Sequence, residues 1–141
     1  MKDLIKAKEI LLSGKYTCVL CKENEIFTSE FRGVKPLVKW YAEKTELEGF
    51  SAADKVVGKA TAFLYALLGV KRVFAKVISL PAKEVLENHG IEVSFNTLVP
   101  NIINRAGDGI CPFELAVQDV YDSNESYKII CLKMEEMGIS I

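Results

Sequence analysis

The chain offers four cysteines and a single histidine, His89, as candidates for metal or nucleophile chemistry. Cys18-Val-Leu-Cys21 is a CxxC, a spacing that binds zinc when two such pairs occur together. Only one pair is present, and it lies in the β-rich stretch "YTCVLCK". Residues three apart on a strand point to opposite faces, so these thiols would not reach one metal and read as small buried hydrophobes. Cys111 and Cys131 are isolated. His89 stands in "ENHG", at the end of a helix pattern, where an imidazole complements the helix dipole. One histidine cannot build a His-rich metal site, and no Ser-His-Asp arrangement surrounds it. Asp54 follows Ser51 by three residues, a spacing that resembles a capping box with an acid in place of Glu or Gln. The same carboxyl could serve as a base or nucleophile. Cys111 and Glu114, in "CPFE", are the other catalytic candidates, because a thiol just ahead of a Pro-started helix is placed to react as a thiolate. "GKATA" (Gly58 to Ala62) resembles the tail of a phosphate loop, but the upstream glycine is missing and the segment falls inside an expected helix. "AGDGI" reads as a plain turn that could also cradle a phosphate.

The elements that must position these residues follow from periodicity and punctuation. Leu4, Ile5, Ile10, Leu11 and Leu12 among Lys and Glu predict an amphipathic first helix, stopped at Gly14. "YTCVLCK" and "EIFTSEF" predict a hairpin across Glu23-Asn24. "GVKPLVKWYAEK" predicts a second helix with Pro36 in its first turn. "FSAADKVVGKATAFLYALLG" predicts one long central helix from Ser51 to Gly69, apolar almost all round and packed on more than one side. "VKRVFAKVIS", "PAKEVLENHG" and "IEVSFN" predict strand, helix and strand, joined as a right-handed parallel crossover. "LVPNIINRAGDGI" is ambiguous between a short element and a polar loop. "CPFELAVQDVYD" and "NESYKIICLKMEEMG" predict two further helices. The expected architecture is one α/β domain over residues 1–141, a three-layer α/β/α sandwich around a small mixed sheet.

Composition bounds the function. The 141 residues suit one core, and half of them are hydrophobic. The 18 Lys plus Arg against 19 Asp plus Glu leave no electrostatic footprint for nucleic acid and no polybasic membrane patch. The N-terminus carries Asp3 and charges every few residues, unlike a signal peptide. No stretch approaches the roughly 20 apolar residues of a membrane span. The expectation is a cytoplasmic protein with its cysteines as thiols. A single Gln among many Lys and Glu hints at a thermophilic source.

The order of elements, together with "SAAD" and "SLPAKEVLENHGIEV", resembles the cytidine-deaminase-like fold. In the zinc deaminases a helix start carries His-x-Glu and a second one carries Pro-Cys-x-x-Cys; one His and two Cys hold zinc, and the Glu shuttles protons. By motif, His-x-Glu falls on Ala52-Ala53-Asp54, and Pro-Cys-x-x-Cys on Pro81-Ala82-Lys83-Glu84-Val85. The ligand positions are then Ala52, Ala82 and Val85, none of which can donate to a metal. Without zinc, nothing brings the pKa of the attacking water down to about 7. The resemblance thus implies no metal, no cofactor and no classical deamination. Over nearly its whole length the chain also resembles a small uncharacterised prokaryotic family with this fold and no zinc motif, through "RGVKPLV", "SAADKVVGKA" and "GICPFELAV".

The resemblance implies a cleft where two helix starts converge, suited to a phosphate or carboxylate even with no metal. A nucleotide-like or ADP-ribose-like ligand would be lined by Ser51, Asp54 and Lys55 from one helix and by Ser79 and Lys83 from the other. Asp54 would take a ribose hydroxyl, and Lys55 or Lys83 a phosphate. The alternatives are a metal-free enzyme using Asp54, Cys111 and Glu114, and a homodimeric interaction protein without catalysis.

Overall fold

The computed structural model describes residues 2–31, 33–104 and 106–140. Arg32, at the head of "RGVKPLV", and Arg105, within the ambiguous stretch, lie outside the described residues. The elements run in the order α1 (Lys2–Ser13), β1 (Cys18–Lys22), β2 (Glu25–Ser29), α2 (Lys35–Ala42), β3 (Ser51–Val57), α3 (Lys59–Leu68), β4 (Arg72–Ser79), α4 (Leu80–Asn88), β5 (Glu92–Val99), α5 (Pro112–Ala116) and α6 (Ser123–Glu136). The five strands form one mixed sheet in the order β2-β1-β3-β4-β5. β1 pairs antiparallel with both β2 and β3, whereas β3-β4 and β4-β5 are parallel.

The sheet separates two apolar regions. On one face α1 sets Leu4, Ala7 and Leu11 against Val19, Cys21, Ala53 and Phe74. On the other, α2, α3, α4 and α6 cover Cys18, Leu20, Ala52, Val73 and Ala75. Alternation along each strand produces this division. It also settles the CxxC: Cys18 and Cys21 lie on opposite faces and both are buried. The helix α3 is nearly all apolar because α2, α4 and α6 all pack around it.

The largest departure from the sequence reading is at Ser51. Ser51 to Val57 is not the head of a long helix but the strand β3, and α3 starts only at Lys59. The Ser51–Asp54 capping box therefore does not exist. Ser51 is fully buried on the α1 side with its hydroxyl unpaired, and Asp54 points to the opposite face. "GKATA" is likewise not inside a helix: Gly58 is the N-cap, in extended conformation, and Lys59 opens α3. The placement of His-x-Glu on Ala52-Ala53-Asp54 requires a helix start and falls on a strand instead. Pro81-Ala82-Lys83-Glu84-Val85 does open a helix, capped by the Ser79 hydroxyl, which accepts from the Ala82 N–H at 3.2 Å.

Two smaller differences concern the C-terminal third. The strand β5 extends to Val99, and the ambiguous stretch after it is irregular, closed by an isolated bridge between Ile103 and Ile110. "CPFELAVQDVYD" forms only the short α5, while α6 is capped by Asp122, which accepts from the Glu125 N–H at 3.0 Å. No helix among the described residues is long and apolar enough to cross a membrane.

Candidate functional site

The carboxyl ends of β3 and β4 lie side by side, Val57 opposite Ile78, so α3 and α4 both begin at one edge of the sheet. The start of β1 and the end of β2 reach the same edge, because Cys18 pairs with both Asp54 and Ser29. Crevices outside the carboxyl ends of parallel strands are the usual ligand sites of open α/β sheets. Here that edge holds a cavity of about 560 Å³. The chain before β1 supplies Lys15 and Thr17, the chain after β2 supplies Glu30, Gly33 and Val34, and the end of β3 supplies Asp54, Lys55 and Val56. Gly58, Ala60 and Thr61 come from the start of α3, and Ile102, Cys111, Phe113 and Glu114 close the far wall.

Asp54 is the most perturbed acid of the site. It is 7 % exposed. Its Oδ2 accepts from the Tyr65 hydroxyl at 2.6 Å and its Oδ1 from the Val56 N–H at 3.2 Å. Burial outweighs these hydrogen bonds and raises its pKa from 3.8 to about 7. The Tyr65 hydroxyl also lies 3.1 Å from the Cys18 Sγ. Burial, aided by the Asp54 charge, pushes both the Tyr65 phenol and the Cys18 thiol well above their ordinary ranges. Asp54, Tyr65 and Cys18 thus form a buried chain whose outer end opens on the cavity.

Glu114 is the second buried acid, at 5 % exposure. Its Oε1 accepts from the Ile102 N–H at 3.3 Å, tying the irregular segment after β5 to α5. The same oxygen would stand 3.0 Å from a Cβ built on Gly58, with the Ile102 Cγ1 at 3.3 Å, so glycine is what fits between α3 and Glu114. Lys59, the next residue, is buried. It donates to the Gln118 carbonyl at 2.9 Å and lies 4.7 Å from the centre of the Tyr121 ring. Burial lowers its pKa, against the pull of Asp119, Glu114 and Glu84. Thr61, two residues further along α3, is 6 % exposed and its hydroxyl makes no hydrogen bond among the described residues.

Of the residues singled out from sequence, the fold gathers Asp54, Lys55, Cys111 and Glu114 around one cavity. It places the other three elsewhere. Ser51 sits at the opposite end of β3, Ser79 is taken up in capping α4, and Lys83 is paired with Glu87 at 3.1 Å along α4. His89 caps the end of α4, with its Nδ1 2.8 Å from the Val85 carbonyl oxygen. Gly58, Thr61 and Tyr65 were not singled out as site residues. The signal available was a glycine between an apolar run and a helix pattern, the mark of a strand-to-helix junction. Among the described residues no three Cys, His, Asp or Glu side chains come close enough to hold one metal ion.

A family model described as "Domain of unknown function (DUF1893)", TM1506, matches residues 6–134. The chain belongs to the DUF1893 family. The crystal structure of a DUF1893 family protein, TM1506 from Thermotoga maritima, is similar with a TM-score of 0.86 and 30% identity, covering 94% of this chain and 91% of that one. No curated protein matches the sequence. The match includes β3, α3 and α5, so every cavity residue from Asp54 to Glu114 falls inside the DUF1893 region.

The chemistry available to this arrangement is that of a partly apolar cleft with two buried carboxyls. Asp54 can accept or donate a proton near neutral pH, since a group works best as acid or base when its pKa lies near the ambient value. Lys15 and Lys55 add cationic groups, although Lys15 already pairs with Glu30 at 3.2 Å. Val34, Val56, Ala60, Ile102 and Phe113 provide apolar wall.

Proposed function

We propose that the cavity beside Asp54 binds a nucleotide-like small molecule, such as an ADP-ribose-like ligand, and holds it without deaminating it. The reading places the chain on a cytidine-deaminase-like scaffold that has no zinc donors. The helix, hairpin and successive parallel strand–helix units support that placement. The first turns of α2, α3 and α4, the helices on the far side of the sheet from α1 that precede β5, read Lys35-Pro36-Leu37, Lys59-Ala60-Thr61 and Leu80-Pro81-Ala82. None offers a Cys or His, whichever of them is matched to the deaminase motifs.

The observation that carries the proposal is the meeting of Asp54, Glu114, Lys55 and an apolar wall in one cavity of about 560 Å³. Ligand pockets of this kind combine hydrophobic lining with a few convergent polar groups. A sugar hydroxyl suits a buried carboxylate, a base suits Val34, Ile102 and Phe113, and a phosphate suits Lys55. The test is a thermal-shift screen of AMP, CMP, adenosine, ADP-ribose and ribose 5-phosphate. At 100 times its Kd a true ligand stabilises by about 2.7 kcal/mol, which moves the melting temperature by several degrees. A flat response to the whole panel would remove the reading.

A metal-free enzyme is the second reading, because Asp54, Cys111 and Glu114 line the same cavity and Asp54 titrates near 7. On this reading Asp54 moves a proton and Cys111 or Glu114 contacts the substrate. Turnover of any bound nucleotide, abolished by Asp54→Asn with binding retained, distinguishes it from binding alone.

A further inference from the structure

Within the nucleotide-like reading, on which this step rests, the geometry decides which part of the ligand goes inward. A free helix N-terminus ordinarily invites a phosphate. The start of α3 does open on the cavity through Gly58, Ala60 and Thr61. Its positive end, however, already faces a carboxylate: the Glu114 Oε1 stands where it would be 3.0 Å from a Cβ on Gly58. A phosphate seated there would meet Glu114 at close range in a poorly hydrated site, where like charges repel strongly.

What the inner end offers instead is acceptors. Glu114 uses Oε1 for the Ile102 N–H, and no protein donor among the described residues reaches its Oε2. Asp54 accepts one hydrogen bond on each oxygen, and a carboxylate oxygen can accept two. Thr61 is more than nine-tenths buried, lines the cavity, and has no partner for its hydroxyl among the described residues. A hydroxyl on a cavity wall with no protein partner is left for a ligand or water to complete. The cationic groups that line the cavity are at the other end: Lys15 is largely exposed, and Lys55 is half-buried on the strand end beyond Asp54, whereas Lys59 near Glu114 is turned to the Gln118 carbonyl and does not line it.

We propose that Asp54, Glu114 and Thr61 form an inner subsite for the hydrogen-bond-donating part of a nucleoside, its vicinal ribose hydroxyls or the N–H edge of its base, with any phosphate directed outward to Lys55 and Lys15. A nucleoside without phosphate is then the minimal ligand, and inorganic phosphate is not a ligand of the inner end. Glu114 and Thr61 act as binding residues, and Gly58 is the residue that lets Glu114 approach α3.

The experiment is isothermal titration calorimetry of the full chain with adenosine, cytidine, AMP and sodium pyrophosphate. The expected result is that a nucleoside binds within about tenfold of its 5′-monophosphate, and that pyrophosphate does not bind. Glu114→Gln and Thr61→Val should each weaken the nucleoside and the nucleotide alike. The loss for Glu114→Gln should be roughly tenfold or more, as for a hydrogen bond to a charged group. Lys55→Ala should weaken AMP and leave the nucleoside unchanged, which keeps the test decisive if a cavity variant fails to fold. Pyrophosphate binding as tightly as AMP, or Glu114→Gln tightening AMP, would overturn this orientation while leaving the nucleotide reading in place. No binding by any of the four probes would overturn both.

Discussion

Replacing Asp54 by Asn isolates the electrostatic cost of a buried acid, and the structure gives its size. In the unfolded chain the carboxyl titrates near its ordinary value of 3.8; in the folded protein burial lifts it to about 7. The folded state therefore binds the proton more tightly, and folding favours the neutral acid. Below the unfolded pKa the carboxyl is protonated in both states, and its contribution to stability is fully present. As pH rises from about 4 through 7, the unfolded chain ionises first and stability falls. Above the folded pKa the loss is complete. A difference of about 3 pKa units at 1.36 kcal/mol each amounts to about 4 kcal/mol. Asn does not titrate, so Asp54→Asn removes this slope. It keeps an oxygen for the Tyr65 hydroxyl, while its NH₂ faces the Val56 N–H in place of an acceptor. That conflict adds a constant offset that does not depend on pH. Urea denaturation of both proteins at intervals from pH 4 to 8.5 measures the difference. The stability of the variant relative to the parent should climb by about 4 kcal/mol across that range, most steeply between pH 4.5 and 6.5. Two parallel stability curves, with a difference constant to about 1 kcal/mol, would refute the assignment of a buried Asp54 that holds its proton up to about pH 7.

Other substitutions probe the surroundings of the same site. Tyr65→Phe should destabilise by about 1–3 kcal/mol, since it strips a donor from Asp54 and a partner from Cys18, and should raise the Asp54 pKa further; a carboxyl titration followed by NMR reads the second effect. Gly58→Ala should cost about 1–3 kcal/mol in urea denaturation, because its Cβ meets the Glu114 Oε1 at 3.0 Å and the Ile102 Cγ1 at 3.3 Å. Ser51→Ala should be neutral or stabilising by up to about 2 kcal/mol, because the buried hydroxyl it removes has no partner; a clear loss of stability would reveal a partner for it. Thiol labelling of the native protein should reach Cys111 and Cys131 and spare Cys18 and Cys21, with Cys111 protected by any ligand that fills the cavity.

The misreading at Ser51 has a physical cause. "SAADKVV" and "KATAFLYALL" are both apolar and both buried on more than one side, so hydrophobic periodicity does not separate strand from helix there. A central strand covered on both faces loses the alternation that marks a half-exposed one, and β3 is buried at Ser51, Ala52, Ala53, Asp54 and Val57. Ser51 and Asp54, three apart at the head of such a run, imitate a capping box although they point to opposite faces of a sheet. Gly58 was the punctuation that separates the two elements. The hairpin, α2, β4 and α4 were legible because their signals are local: an Asn-containing turn, Pro36 and Pro81 in first turns, and Gly90 with φ of 72° after α4.

The candidate site was legible in part for the same reason. Lys55, Cys111 and Glu114 come to the cavity with Asp54 because β3 ends and α5 begins there. Ser51, Ser79 and Lys83 were linked to Asp54 only by the assumption that Asp54 opened a helix, and moving it onto a strand breaks that link. Tyr65 and Thr61 gave no local sign at all. Their roles depend on α3 being laid across the end of β3, which is tertiary information.

The most direct test of a nucleotide site at this sheet edge is the ¹H–¹⁵N spectrum of the uniformly labelled protein titrated with AMP. The account predicts shift changes concentrated in the backbone amides of Lys55 to Thr61, Ile102 and Cys111 to Glu114, with Pro112 silent, as the ligand fills the cavity. Changes confined to the opposite end of the sheet, around Thr45 to Phe50, or an unchanged spectrum at millimolar AMP would contradict it.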